Sequence, residues 1–172
     1  MQVNTIMVPA HSLRVRPLAQ AELDAVLGVY RRCEDFLALG PVPTASLTMV
    51  LHDLAQAADD GGIFCGIYTL EGAMVGVVEY APKPSKGASK CACLSLLMLA
   101  REHRSRGIGS AVLAAVETEL REKSQVAAIV APVQVNNPRA LAFWQRHGYR
   151  VVSRPELQPD HTTVLTLRKD LP

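Results

Sequence analysis

REHRSRGIGSAV, residues 101–112, is the stretch on which the reading of this chain turns. Three arginines and a histidine share its first six positions, and Gly107 and Gly109 follow as G-x-G. Just upstream, CACLSLLMLA (91–100) is a continuous apolar run, as a central strand buried on both faces requires. Just downstream, Ile108, Val112, Leu113, Val116 and Leu120 recur at helical spacing over 107–123. The stretch is therefore a strand-to-helix turn. N–H groups at such a turn and in the first helical turn have no intrahelical partner. The helix dipole adds partial positive charge there, glycine permits close approach of a ligand, and Arg104 and Arg106 add full charges. That combination suits a diphosphate. A basic, solvated turn is the competing reading of these residues alone.

Two nucleotide-binding signatures fail here. A dinucleotide fingerprint needs a third glycine and an acidic residue ending the next strand. Val112 stands at the third position, and AIVAPVQV (128–135) ends without a carboxylate. A Walker loop needs a lysine after its glycines, and none follows Gly109.

Outward from the motif, the chain reads as a mixed α/β domain around one sheet. LRVRP (13–17) alternates apolar and basic residues as a short strand would. Leu23, Val26, Leu27, Tyr30, Cys33 and Leu37 predict one helix over 18–38. A second helix over 44–58 would turn Leu47, Val50, Leu51 and Leu54 inward. IFCGIYTL (63–70) and AMVGVVEY (73–80) predict a hairpin. Glu117–Arg121 and Glu119–Lys123 are favourably spaced pairs on the 107–123 helix. A strand over 126–133 precedes a helix with Asn137 as N-cap, Pro138 at its first position and Gly148 behind it. Tyr149–Ser153 and Thr162–Leu167 are the last expected strands.

The bulk numbers bound the function. The chain has 172 residues, 49% hydrophobic and 20% charged, with a formal net charge of +2. That is one ordinary globular domain, with too little net charge for a general polyanion binder, so no nucleic-acid partner is expected. No apolar run is long enough to span a membrane, and the first residues lack a signal-peptide pattern, so the expected setting is the cytoplasm. The four cysteines and five histidines have no metal-ligand spacing, so no metal is expected. The sequence admits a homodimer without requiring one.

At Arg104-Ser105-Arg106-Gly107-Ile108-Gly109 the chain resembles the [QR]-x-x-G-x-[GA] motif with which the GNAT superfamily of N-acetyltransferases binds acetyl-CoA. Asn137-Pro138-Arg139-Ala140-Leu141-Ala142-Phe143-Trp144-Gln145-Arg146-His147-Gly148-Tyr149 is similar to a second element of that family. The order of elements agrees over nearly the whole chain. The resemblance implies a GNAT-like domain over 13–172 behind an N-terminal extension (1–12), with a mostly antiparallel sheet, a splayed strand pair and about four helices. It implies acetyl-CoA as co-substrate. The diphosphate would lie on the backbone of Ser105, Arg106, Gly107, Ile108, Gly109 and Ser110, with Arg104 and Arg106 nearby. The pantetheine arm would pair with Leu97, Met98 and Leu99, as a strand added to an open edge. The N–H of Leu97 would polarise the thioester carbonyl, Asn137 would hold the arm, and Trp144 would lie near the sulfur.

The implied reaction is direct acetyl transfer to a primary amine of a small molecule or peptide, through a tetrahedral intermediate. The proton-transfer residues depart from the family pattern. Trp144 stands where many members carry a tyrosine acid, and an indole N–H does not titrate usefully. Cys93 stands where some place a glutamate base. No catalytic residue is therefore assigned, with Glu79, Tyr80 and Ser95 the polar groups nearest the expected cleft. A non-catalytic acyl-CoA-binding or sensing module on the same fold is the alternative. The resemblance places the acceptor pocket in 28–46, 80–90 and 154–161. There Glu34 or Asp35 would suit an ammonium group, and Lys83, Lys86 and Lys90 an anion.

Overall fold

The computed structural model describes residues 5–83, 91–124 and 126–172. Among the described residues, nine strands form one sheet. In chain order these are β1 (Ile6–Val8), β2 (Leu13–Pro17), β3 (Ile63–Thr69), β4 (Met74–Ala81), β5 (Cys91–Leu99), β6 (Ala128–Gln134), β7 (Arg150–Val151), β8 (Glu156–Leu157) and β9 (Thr163–Asp170). Their spatial order is β1-β2-β3-β4-β5-β6-β9-β7, with β8 also on β9. All pairings are antiparallel except β5 with β6. The sheet begins inside the segment read as an extension: Ile6 and Val8 are buried and pair with Val15 and Leu13.

Among the described residues, five α-helices cover two faces: α1 (Leu23–Arg31), α2 (Glu34–Leu37), α3 (Leu47–Asp59), α4 (Ile108–Ser124) and α5 (Pro138–Arg146). One core joins the sheet to α4 and α5, and a second joins it to α1 and α3. Because strand side chains alternate between faces, Leu97 and Leu99 pack into the first core and Leu96 and Met98 into the second.

Three expectations change. The helix predicted over 18–38 is broken at Cys33 (φ −124°, ψ 17°) into α1 and α2. Cys33 is buried, and its thiol donates to the Leu99 carbonyl at 3.2 Å, so a tertiary contact overrides the local helical pattern. On α3 the inner face holds Val50 and Ala57, while Leu47 and Leu51 are exposed. Glu117 does not pair with Arg121. It takes Lys169 Nζ at 2.6 Å and Tyr149 Oη at 3.0 Å, whereas Glu119–Lys123 forms at 2.9 Å. The stripe of α4 and the Asn137 cap stand as read, with Asn137 Oδ1 accepting from Ala140 N at 3.0 Å. Gly148 has φ 87°, as expected behind α5.

Candidate active site

The site starts where β5 and β6 part. Their parallel pairing runs from Cys91–Ala128 to Cys93–Val130 and then stops. Beyond it β6 stays with β9 and β5 stays with β4, so a gap opens along Leu94–Leu99. Ala100 N–H donates to the Val75 carbonyl at 2.9 Å. Antiparallel alternation then makes Met98–Val77 the next hydrogen-bonded pair and turns the backbone of Leu97 and Leu99 toward the gap. The open edge thus leaves the Leu97 backbone without a strand partner on that side, ready to accept an extended, amide-bearing chain, while the Leu99 carbonyl is taken by Cys33 Sγ and Arg104 Nε.

The glycine turn closes one end of this gap. Ser105 (φ 59°) and Gly107 (φ 78°) both take left-handed backbone. Turns of this kind gather successive N–H groups into a concave anion site. Among the described residues, the N–H groups of Ser105, Arg106 and Gly107 have no hydrogen-bond partner. Those of Ile108, Gly109 and Ser110 belong to the unsatisfied first turn of α4. Ser110 Oγ lies 3.0 Å from His147 Nε2, which ties this end of α4 to the end of α5.

A cleft of about 690 Å³ joins these parts. Leu97, Met98 and Leu99 form its floor, with Arg104, Ser105, Gly107, Gly109 and Ser110 at its head. Asn137 and Trp144 stand on the α5 wall. Ten of the twelve residues singled out in sequence therefore meet. Arg106 is exposed outside the lining, and the Ile108 side chain is buried in the core at 8% exposure, leaving only its backbone to face a ligand.

The structure also revises several roles. Arg104 is not a free charge: its guanidinium meets Asp35 at 2.6 and 3.1 Å, and its Nε donates to the Leu99 carbonyl at 2.8 Å. The same pairing holds the Asp35 carboxyl below its ordinary pKa. Glu34 accepts from Ala45 N at 3.0 Å, so neither carboxylate named for an ammonium stands unengaged. Tyr149 is buried with its hydroxyl on Glu117, away from the cleft, and cannot replace the missing tyrosine acid. Tyr80 is buried in the α4/α5 core. Lys86 and Lys90 lie outside the described residues.

Sequence reasoning missed the rest of the α5 wall. Arg139, Phe143 and Arg146 line the cleft and share one helix face at i, i+4 and i+7. That spacing was available in the sequence. Asp35 and Phe36 line the opposite side from α2, a position set by the break at Cys33, for which the sequence carries no local signal.

An open strand edge, a glycine turn on a helix N-terminus and one cleft between them define an acyl-coenzyme A-dependent transferase fold. The model of the Acetyltransferase (GNAT) family matches residues 26–149, and the chain belongs to that family. No curated protein matches the sequence. Among solved structures, an acetyltransferase from Thermus thermophilus is 24% identical, with a TM-score of 0.78 over 93% of this chain and 97% of that one. Spermidine N-acetyltransferase from Vibrio cholerae, in complex with CoA and spermine, is 14% identical, with a TM-score of 0.71 over 92% and 95%. The Salmonella typhimurium acetyl transferase that modifies the N-terminal serine of a 50S ribosomal subunit protein is 16% identical, with a TM-score of 0.77 over 98% and 100%. At these identities the likeness is one of fold.

Proposed function

We propose that the protein is an N-acetyltransferase that moves an acetyl group from acetyl-CoA to a primary amine by direct attack. The observation that carries this reading is the gap between β5 and β6, which leaves the Leu97 backbone facing the cleft headed by the glycine turn. The N–H groups of Ser105–Ser110 hold the diphosphate, and the edge at Leu97–Leu99 holds the amide-bearing arm. The Leu97 N–H then lies at the thioester carbonyl, where a fixed donor stabilises charge developing on oxygen. Holding both reactants in one cleft supplies the orientation that the bimolecular reaction lacks in water. Spermine beside CoA in a protein of this fold supports an amine acceptor.

Among the described lining residues there is no tyrosine, histidine or thiol, which favours the sensing module as the second reading. Titration calorimetry with acetyl-CoA, followed by a thiol-release assay over polyamines, amino acids, aminoglycosides and peptides, separates the two. Binding with CoA release supports transfer. Binding without release from any amine supports the sensor, and no binding at millimolar acetyl-CoA overturns both.

A further inference from the structure

The pairing of β4 with β5 slips at one place. Glu79 faces Leu96 and Tyr80 faces Leu94, so Ser95 is an extra residue bulged out of β5. Bulges re-aim side chains and occur next to active sites. This one lies just past Cys93, the last residue of β5 paired with β6, so the bulge and the opening of the gap coincide. It also lies two residues before Leu97.

Glu79 sits against that bulge. Its cross-strand neighbours Phe64 and Leu96 belong to the α1/α3 core, so its side chain is on that face. Among the described residues, the titratable and polar groups around it are Tyr30 from α1, Asp53 from α3, Asp60 behind α3, and Cys93 and Ser95 from β5. The Tyr30 hydroxyl is committed to Asp53 at 2.7 Å, and Cys93 Sγ lies 3.5 Å from Ser95 Oγ. Gly62 leaves room for the carboxylate, since a Cβ there would lie 3.0 Å from Glu79 Oε1. Glu79 is half-buried, and among the described residues no lysine, arginine or histidine pairs with it. A half-buried carboxylate facing two others, with no cation among the described residues, beside the bulge at which β5 leaves β6 is placed to meet a cationic substrate.

We propose that Glu79 is the catalytic base, and that the acceptor enters on the α1/α3 face as an ammonium ion. The assignment rests on the transferase reading above. The ammonium gives one proton to the Glu79 carboxylate. The freed nitrogen lone pair forms the C–N bond at the thioester carbon, and the C–S bond breaks. The departing thiolate takes the second nitrogen proton, giving the amide and CoA thiol, and Glu79 returns its proton to solvent. Burial, then Asp53 and Asp60, raise the Glu79 carboxyl from the ordinary glutamate range to about 7, while Ser95 lowers it. A base that titrates there is matched to neutral operation.

The test is Glu79→Gln, which keeps the shape of the side chain, assayed as CoA release against pH beside acetyl-CoA calorimetry. The expected result for the native protein is kcat/KM rising through about pH 7. In the variant this limb is lost and kcat/KM falls about 10²- to 10⁴-fold, with acetyl-CoA affinity within about twofold of native. Ser95→Ala should move the limb to higher pH, because the hydroxyl that lowers the Glu79 pKa is gone, and it reports independently should Glu79→Gln fold poorly. An unchanged limb in either folded variant overturns the base assignment alone. Absence of CoA release from the native protein across the amine panel overturns the transferase reading and this assignment with it.

Discussion

The two halves of the proposed site are built from different materials. The proposed coenzyme side is mostly backbone: an open strand edge at Leu97–Leu99 and the N–H groups of Ser105–Ser110, all within 14 consecutive residues. The proposed acceptor side is mostly side chains. Glu79 and Ser95 come from two strands, Asp53 and Asp60 from α3 and its end, and Asp35 from α2. A backbone site demands particular residues at particular positions in one short stretch, because only some residues permit the turn. A side-chain site can be assembled from any segments the fold brings together, so it leaves no local signature.

Four substitutions would break or sharpen that contrast. The largest effect is expected from Trp144→Ala on the shared α5 wall. Trp144 is 7% exposed and packs edge-on against Phe143 and Tyr149 at 5.6 and 4.8 Å. Its loss should cost about 3–5 kcal/mol in urea unfolding and damage both sides together. A loss under about 1 kcal/mol would show that the wall does not hold the two sides together.

Next comes Gly109→Leu. A Cβ at Gly109 would meet Phe143 at 3.5 Å and Leu99 at 3.7 Å, so a longer side chain fills the head of the cleft. Acetyl-CoA affinity should drop about 100-fold or more by calorimetry, near 2.7 kcal/mol, with the fold intact. Gly107 is a poorer probe, because its φ of 78° strains any replacement. Native affinity in Gly109→Leu would show that the cradle is elsewhere.

Asp35→Asn tests the contact between the two sides. The Arg104–Asp35 pair is partly exposed, at 22% and 37%, so its two charge-assisted bonds are expected to contribute only about 1 kcal/mol. The Asp35 pKa is depressed in the folded state, so this contribution is present above the unfolded carboxylate pKa. It is lost as pH falls through the folded value. Unfolding at pH 7 should therefore show the loss, and unfolding in strong acid should not. The smallest effect belongs to Arg106→Ala. Arg106 is exposed and makes no ion pair among the described residues, so acetyl-CoA binding should weaken only severalfold, and less at high salt.

The stability side of Glu79 runs in the opposite sense to Asp35. Its folded pKa is raised, so its contribution is fully present below the ordinary glutamate value and is lost as pH rises through about 7. Glu79→Gln should flatten that loss in a thermal-melt series.

The fold was legible where periodicity and capping agreed. The 91–100 run, the α4 stripe and the Asn137–Pro138 helix start all appear as read, each set by local patterning. The break of the 18–38 helix was not legible, because it depends on the Cys33 thiol reaching a carbonyl 66 residues away. The inner face of α3 misled for a related reason. A short amphipathic helix offers more apolar positions than its partner covers, and packing chose Val50 and Ala57 over Leu47 and Leu51.

The strand, the glycine turn, the helix behind it and the capped α5, which make up the proposed coenzyme half, are each encoded within a few residues of sequence. Only the tertiary structure decided the other half. It bound Arg104 to Asp35, buried Tyr149 on Glu117, and set Glu79 against the bulge at Ser95. The reason is physical. A turn or cap is settled by neighbours along the chain, whereas the charge, burial and reach of a side chain depend on elements that meet it only after folding.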